Sequence, residues 1–124
     1  MKILLIDDDA LVRFSLAMML RDAQHEVVTA ENGYAGMQLL RKERPDVVVT
    51  DIIMPDQEGF ETIIEIKREH PGIKVIAISG GLRQGNLDIL PMAMGLGADA
   101  TIAKPFNPSQ LLDEIERLGV PLAA

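Results

Sequence analysis

Residues 46–51, DVVVTD, form a run of β-branched side chains that ends on a carboxylate. The three valines do not alternate with polar residues, which is typical of a strand buried on both faces in a parallel sheet. An aspartate directly after such a strand is either a turn or helix-capping residue or part of a binding site. The rest of the sequence has to distinguish these interpretations.

Four similar apolar runs flank this stretch, and they occupy residues 2–6 (KILLI), 26–30 (EVVTA), 74–79 (KVIAIS) and 100–103 (ATIA). Amphipathic patterns of helical period follow the strands at 10–23, 33–44, 58–69 and 108–118. A further helix is expected at about 89–96, short or kinked, with Asp88 as its N-cap and Pro91 tolerated in its first turn. Residues 80–87 would then form a mobile, glycine-rich loop. Strand and helix alternate five times, which predicts an α/β fold with a doubly wound, five-stranded parallel sheet and helices on both faces.

The apolar residues of four helices predict which faces are buried, and they are Val12, Leu16, Met19, Leu20 and Ala23; Ala35, Leu39 and Leu40; Phe60, Ile63 and Ile64; and Leu111, Ile115 and Leu118. The last helix has a clear start. Asn107 is the expected N-cap, Pro108 occupies the first helical position, and Gln110 can close a capping box.

Composition excludes several classes of protein. The chain has 124 residues, 48% of them hydrophobic and 25% charged, as expected for one globular domain. A net charge of −7 argues against direct nucleic-acid binding, and the lack of cysteine rules out disulfides and thiolate metal sites. We find no signal-peptide pattern and no apolar run of membrane-spanning length, so we expect a soluble, cytoplasmic protein without membrane insertion.

Four of the five predicted strands end on side chains that can bind ions or phosphate, namely Asp7 and Asp8, Asp51, Ser79, and Lys104. The carboxyl ends of parallel strands lie along one edge of the sheet, where ligands bind. Taken singly, each residue could be a turn former or a surface side chain, and Asp9 is better explained as the N-cap of the first helix. Their coincidence on one edge favours a site. Strand 2 is the exception, because it ends on Ala30 and contributes no obvious functional side chain.

The chemistry of this set suits a phosphoryl group. Carboxylate oxygens are hard ligands for Mg²⁺ or Mn²⁺. The ammonium of Lys104 can bind a carboxylate or a phosphate, and the hydroxyl of Ser79 can donate to an anionic oxygen. A carboxylate can also act as the nucleophile and form an acyl phosphate.

The motifs LLIDDD, DVVVTDIIMPDQEGFE, VIAISGG and AKPF occur in an order and spacing that resemble the receiver domains of two-component response regulators, over about residues 2–118. The resemblance implies a flavodoxin-like sheet of order 2-1-3-4-5 and a single receiver domain spanning residues 1–124. It implies a phosphoryl group taken from a phosphohistidine on a sensor histidine kinase or histidine phosphotransfer protein. Output would then be binding of a downstream protein target or onward relay.

The resemblance also assigns a metal site. It implies that Asp51 is the phosphoacceptor and that Asp8, Asp51 and the backbone carbonyl of Ile53 bind Mg²⁺, with Mn²⁺ as an alternative. Asp7 would contribute to the metal site through a water molecule.

Other residues receive roles around the phosphoryl group. The resemblance implies that Ser79 donates to a phosphoryl oxygen and that Lys104 pairs first with Asp51 and then with the phosphoryl group. The Lys104–Pro105 peptide would be cis, which is accessible to proline. Gly80 would leave space for the phosphoryl group, and Gly59 would turn the chain after strand 3.

The chain departs from the family pattern at a few positions. Thr101 stands where the family usually has a Tyr or Phe rotamer switch, which argues against signalling by an aromatic flip. Ile53 and Gly81 occupy the two positions that tune the lifetime of the acyl phosphate. Neither side chain can activate a water molecule, so we expect slow autodephosphorylation and no other enzymatic activity.

Three other functions fit the sequence less well. A magnesium-dependent phosphohydrolase with an aspartate nucleophile would use a D-x-D pair, which Asp7 and Asp9 formally supply, but it leaves Asp51 and AKPF unexplained. A degenerate receiver-like binding module would have lost Asp51, Asp8 or Lys104, and all three are present. A nucleotide-binding Rossmann domain is disfavoured because no G-x-G-x-x-G follows strand 1.

Overall fold

A computed structural model of the chain describes residues 1–52, 58–79, 89–104 and 106–119. Five strands and five helices alternate in these ranges: β1 (Lys2–Ile6), α1 (Ala10–Asp22), β2 (Glu26–Ala30), α2 (Gly33–Glu43), β3 (Val47–Asp51), α3 (Glu58–Glu69), β4 (Lys74–Ser79), α4 (Ile89–Leu96), β5 (Ala100–Ala103) and α5 (Pro108–Gly119). The predicted alternation is confirmed, including a short fourth helix with Pro91 at its third position. The predicted N-cap Asp88 and the loop 80–87 lie outside the described residues.

The strands form one parallel sheet of order β2-β1-β3-β4-β5. The fold class and the strand order are therefore as expected. The strand register sets the geometry of the carboxyl edge. Ile6 pairs with Thr50, which brings Asp7 level with Asp51, and Ser79 pairs with Ala103, the residue before Lys104.

Two apolar layers cover the sheet, and alternate strand residues feed each layer. On one face, Leu4, Ile6 and Val48 pack against α2, α3 and α4. On the other face, Ile3 and Leu5 pack against α1 and α5. Because both faces are covered, the valines of β3 are fully buried, which explains why its sequence does not alternate.

The helices begin and end where local backbone chemistry dictates. The Asp9 side chain accepts hydrogen bonds from the backbone amides of Leu11 and Val12, so its role as the N-cap of α1 is confirmed. At the start of α5, the backbone amide of Asn107 donates to Gln110 Oε1 at 2.9 Å, which closes the predicted capping box.

The predicted helix faces are buried or half-buried except in α3, and Ala17 and Met37, which were not predicted, also lie in the core. Ile63 is fully buried as predicted, but Ile64 is 41% exposed and Ile66 takes its place in the core. Gly59 also differs, since it lies in the first turn of α3 and not in a connecting turn. A Cβ there would lie 2.2 Å from the backbone oxygen of Ile52, so glycine is required for α3 to approach the end of β3.

Candidate functional site at the carboxyl edge of the sheet

The structure brings Asp7, Asp8, Asp51, Ser79 and Lys104 together at the carboxyl edge of the sheet, and we call this set the carboxyl-edge cluster. One carboxylate oxygen from each aspartate lies within 4.8 Å of the other two. Asp7, Asp51 and Ser79 are only 2%, 7% and 1% exposed, whereas Asp8 faces solvent. Three carboxylates and a hydroxyl therefore meet at the ends of three adjacent strands.

Asp51 ends β3 and makes the closest ionic contact of the cluster. Lys104 Nζ lies 3.1 Å from Asp51 Oδ2 and 3.7 Å from Asp7 Oδ2. The backbone amide of Lys104 donates to the carbonyl oxygen of Ser79 at 2.8 Å, which continues the β4–β5 pairing by one residue. This backbone bond holds the lysine beside the aspartates although the strand has already ended.

Asp7 is held through both its backbone and its side chain. Its amide donates to the carbonyl oxygen of Ala30 at 3.1 Å, and its Oδ1 accepts from the amide of Asp9 at 2.9 Å. The guanidinium of Arg13 donates from Nη1 to the Asp7 carbonyl oxygen at 2.7 Å. The last residue of strand 2, Ala30, therefore takes part through its backbone carbonyl, which anchors Asp7.

The electrostatics of the cluster are dominated by burial and by an excess of negative charge. Burial raises the pKa of Asp7, and the carboxylates of Asp8 and Asp9 raise it further, which together outweigh the attraction of Lys104 and the hydrogen bond from Asp9. Burial by itself would lower the pKa of Lys104, but attraction and hydrogen bonding to Asp51, followed by Asp7, raise it above its ordinary value. The lysine is thus firmly cationic, while the buried carboxylate lacks sufficient compensation.

A divalent cation fits this donor set. Oxygen ligands of octahedral Mg²⁺ lie about 3 Å apart when adjacent and about 4 Å apart when opposite, given Mg–O distances of about 2.1 Å. The three carboxylate oxygens lie within 4.8 Å of one another, which allows a single ion to lie among them, and one lysine cannot balance three carboxylates. The arrangement can therefore hold one hard cation through carboxylate oxygens.

Thr101, at the position of the family's usual aromatic switch, lies in β5 opposite Ala77 and is half-buried. Threonine has no aromatic ring that could exchange between core and solvent. Ile53, Gly80, Gly81 and Pro105 lie outside the described residues.

Arg13 was not predicted from the sequence as part of the site. A single arginine six residues after an aspartate is common on solvated helices, so its spacing alone carries little information. Only the placement of α1 against the end of β1 shows that its guanidinium reaches the Asp7 carbonyl. A basic residue in the second turn of the helix that follows an acidic strand end is the weak signal that was available.

Comparison with known proteins identifies the family. A family model described as "Response regulator receiver domain" matches residues 3–116. The chain belongs to the response regulator receiver domain family. A receiver domain of a two-component system has the role of a phosphoacceptor, and receiver domains bind Mg²⁺ at an acidic cluster of aspartates such as the one this chain presents.

The relatives of this receiver domain differ in how much of their own length it matches. It is 33% identical over 118 residues to the chemotaxis protein CheY of Listeria monocytogenes, covering 94% of this chain and 97% of CheY. It is 35% identical over 118 residues to the transcriptional regulatory protein PdtaR of Mycobacterium tuberculosis, covering 93% of this chain and 55% of PdtaR.

Solved structures show the same architecture. The receiver domain of NtrX from Brucella abortus superposes with a TM-score of 0.88 at 31% identity, covering 97% of this chain and 99% of that one. A response regulator receiver domain protein from Clostridium thermocellum superposes with a TM-score of 0.87 at 32% identity, covering 94% and 92%.

The phosphohydrolase alternative is not favoured. Its acid–base residue would have to be Asp9, but the Asp9 side chain accepts from two backbone amides at the start of α1.

In the part of the chain that the structure describes, no helix is long and apolar enough to cross a membrane.

Proposed function

We propose that Asp51 is the residue of this receiver domain that accepts the phosphoryl group. The observation that carries the proposal is the position of its carboxylate, which is nearly buried at the carboxyl edge, 3.1 Å from Lys104 Nζ and within 4.8 Å of Asp7 and Asp8. Phosphoryl transfer depends mainly on positioning and on charge stabilisation, and both are built around this carboxylate.

In the transfer step, a carboxylate oxygen of Asp51 attacks the phosphorus of a phosphohistidine. A new O–P bond forms as the P–N bond breaks, and the electron pair of that bond stays on the histidine nitrogen. Lys104 stabilises the negative charge on the phosphoryl oxygens, and Ser79 donates a hydrogen bond to one of them. Asp8 and Asp51 would hold Mg²⁺ (or Mn²⁺) together with the backbone carbonyl of Ile53, and Asp7 would support it through water. The ion would supply charge neutralisation for the phosphoryl group.

The proposed partners follow from this chemistry. The phosphodonor is a sensor histidine kinase or a histidine phosphotransfer protein, and the phosphorylated domain binds a downstream protein or passes the phosphoryl group on. The reaction is a single transfer to the protein itself, without multiple turnover of substrate. Because Ile53 and Gly81 cannot activate water, the acyl phosphate is expected to persist well beyond seconds at neutral pH.

Mass spectrometry of the intact protein tests the assignment of Asp51. After incubation with Mg²⁺ and acetyl phosphate, the chain should gain the mass of one phosphoryl group, and Asp51→Asn should gain none. Asp46→Asn is a matched control, because Asp46 immediately precedes the same strand and its carboxylate accepts from the backbone amide of Lys2, at 2.9 Å, at the opposite end of that strand. Incorporation into Asp51→Asn, or none into the unmodified protein from acetyl phosphate or phosphohistidine donors, would refute the assignment.

A further inference from the structure

We propose that Arg13 is a positioning residue for the phosphoacceptor site and that it acts through Asp7. This inference rests on the proposed function of the carboxyl-edge cluster and adds to it a residue that is not a member of the cluster. It is carried by the 2.7 Å hydrogen bond from Arg13 Nη1 to the carbonyl oxygen of Asp7.

Within the described residues, three hydrogen bonds fix Asp7 in addition to its 3.7 Å contact with Lys104 Nζ, and they differ in what supplies them. The Asp7 amide donates to Ala30, and the Asp9 amide donates to the Asp7 carboxylate. These two bonds use backbone donors that any residue except proline provides. The third bond depends on the side chain at position 13, so it alone can be removed without changing the backbone or the carboxylates.

The carbonyl that Arg13 holds belongs to the peptide between the two metal-site aspartates. A peptide group is planar, so fixing the Asp7 oxygen also fixes the direction of the Asp8 amide. Both aspartates are therefore oriented from one point. A guanidinium stays charged at all physiological pH values and makes short, charge-assisted hydrogen bonds, which suits it to hold a turn where three like charges repel.

Arg21 provides an internal control on the same helix. Its Nη2 donates to the carbonyl oxygen of Val27 at 3.1 Å, also across six residues. Val27 lies near the start of β2, away from the carboxyl edge. Substitution of Arg21 therefore removes the same kind of contact and the same charge, but it does not touch the Asp7–Asp8 peptide.

The test compares Arg13→Met with Arg21→Met in the full chain. Partners that orient metal ligands typically contribute 10- to 100-fold to metal affinity or activity. We expect Arg13→Met to raise the Kd for Mg²⁺, measured by NMR titration, about 10-fold and to slow phosphorylation by acetyl phosphate about 10-fold. Arg21→Met should stay within twofold of the unmodified protein in both. Arg13→Lys should recover part of the loss, since an ammonium can donate to the same carbonyl.

A readout without metal or phosphoryl donor separates positioning from general stability. In metal-free protein, hydrogen exchange at the Asp9 amide should accelerate in Arg13→Met but not in Arg21→Met, because Asp9 donates to Asp7. Equal Mg²⁺ affinity and equal exchange in the two variants would overturn the inference. If the unmodified protein binds Mg²⁺ but takes no phosphoryl group, the proposed function fails, and the affinity and exchange data still decide the role of Arg13.

Discussion

The two edges of the sheet use the same residue types in opposite ways. At the amino edge, Lys67 Nζ lies 2.8 Å from Asp99 Oδ2, and Lys2 Nζ lies 3.0 Å from Glu43 Oε1. Lys2 Nζ also lies 3.7 Å from the exposed carboxylate of Glu26, and Asp99 Oδ2 also accepts from the backbone amide of Val75 at 2.8 Å. At the carboxyl edge, one lysine lies beside a cluster of three aspartates and contacts the two buried ones, Asp51 and Asp7. Charged residues at strand ends are therefore no sign of a site by themselves; an unbalanced charge in a buried place is.

The imbalance has a physical cost that the amino edge avoids. A pair of opposite charges that share hydrogen bonds offsets its own desolvation, whereas a buried carboxylate without full compensation has a raised pKa. Burial is the main cause of the raised pKa of Asp7, and the neighbouring carboxylates of Asp8 and Asp9 raise it further. Binding of a metal ion, or of a phosphoryl group with its counterion, changes the charge balance at the carboxyl edge and not at the amino edge.

The strongest test of this comparison replaces one lysine at each edge, Lys104 or Lys67, with methionine. Lys104→Met should reduce the rate of phosphorylation by acetyl phosphate about 100-fold or more, since it removes a cation that stabilises the transferred group. Lys67→Met should leave that rate within twofold but should lower the free energy of unfolding by about 2 kcal/mol, because it leaves the half-buried Asp99 carboxylate without its ion pair.

Rates come from intact-mass time courses, and stabilities come from urea unfolding followed by circular dichroism. If the two lysine variants lose phosphorylation equally, the two edges do not differ as described.

A second test separates neighbours within the acidic run. Asp8→Ala should weaken Mg²⁺ binding at least about 10-fold with little change in stability. Asp9→Ala should leave Mg²⁺ binding nearly unchanged but cost about 1 kcal/mol of unfolding free energy, since it removes the N-cap of α1. NMR titration and urea unfolding measure the two quantities. Similar Mg²⁺ affinities in the two variants would contradict the division of roles.

The pH dependence of stability tests the cost of burying Asp7. A carboxyl group with a raised pKa in the folded state contributes stability that is complete below its ordinary pKa of about 4 and is lost as the pH rises through the raised value. Asp7→Asn keeps the acceptor for the Asp9 amide but cannot ionise. In metal-free buffer, the unmodified protein should lose more stability than Asp7→Asn as the pH rises from about 4 to neutrality.

Urea unfolding at a series of pH values in the presence of a chelator provides this measurement. Parallel stability curves for the two proteins would show that Asp7 is not perturbed.

The smallest effect is expected at the amino edge, where α1 ends. Gln24 has a φ of 75°, and the amide of His25 donates to the carbonyl of Leu20, so a non-glycine residue occupies the left-handed position of a Schellman motif. Gln24→Gly should raise the free energy of unfolding by about 0.5 kcal/mol, because glycine adopts this conformation without strain. Phosphorylation should not change. A loss of stability in thermal unfolding would mean that the Gln24 side chain makes a compensating contact.

Much of the site could be predicted because its residues lie at or directly after the ends of strands. Asp7, Asp51 and Ser79 are adjacent to buried β-branched runs, and parallel strands bring such ends together whatever the details of packing. The burial of Ile66 instead of Ile64 could not be predicted with the same ease, since both fit a helical period and only the angle at which α3 packs on the sheet separates them. Gly59 likewise became intelligible only when the distance from α3 to Ile52 was known.

The sequence by itself determined the alternation of strands and helices, the sheet edge that carries the site, the capping role of Asp9 and the family resemblance. These features are local or follow from general rules of chain topology. Tertiary structure decided which groups touch: Lys104 with Asp51, Ala30 with Asp7, and Arg13 with the Asp7 carbonyl. Such contacts depend on the placement of whole helices and strands to within an ångström or so, and a pattern of residue types along a chain does not encode distances at that scale.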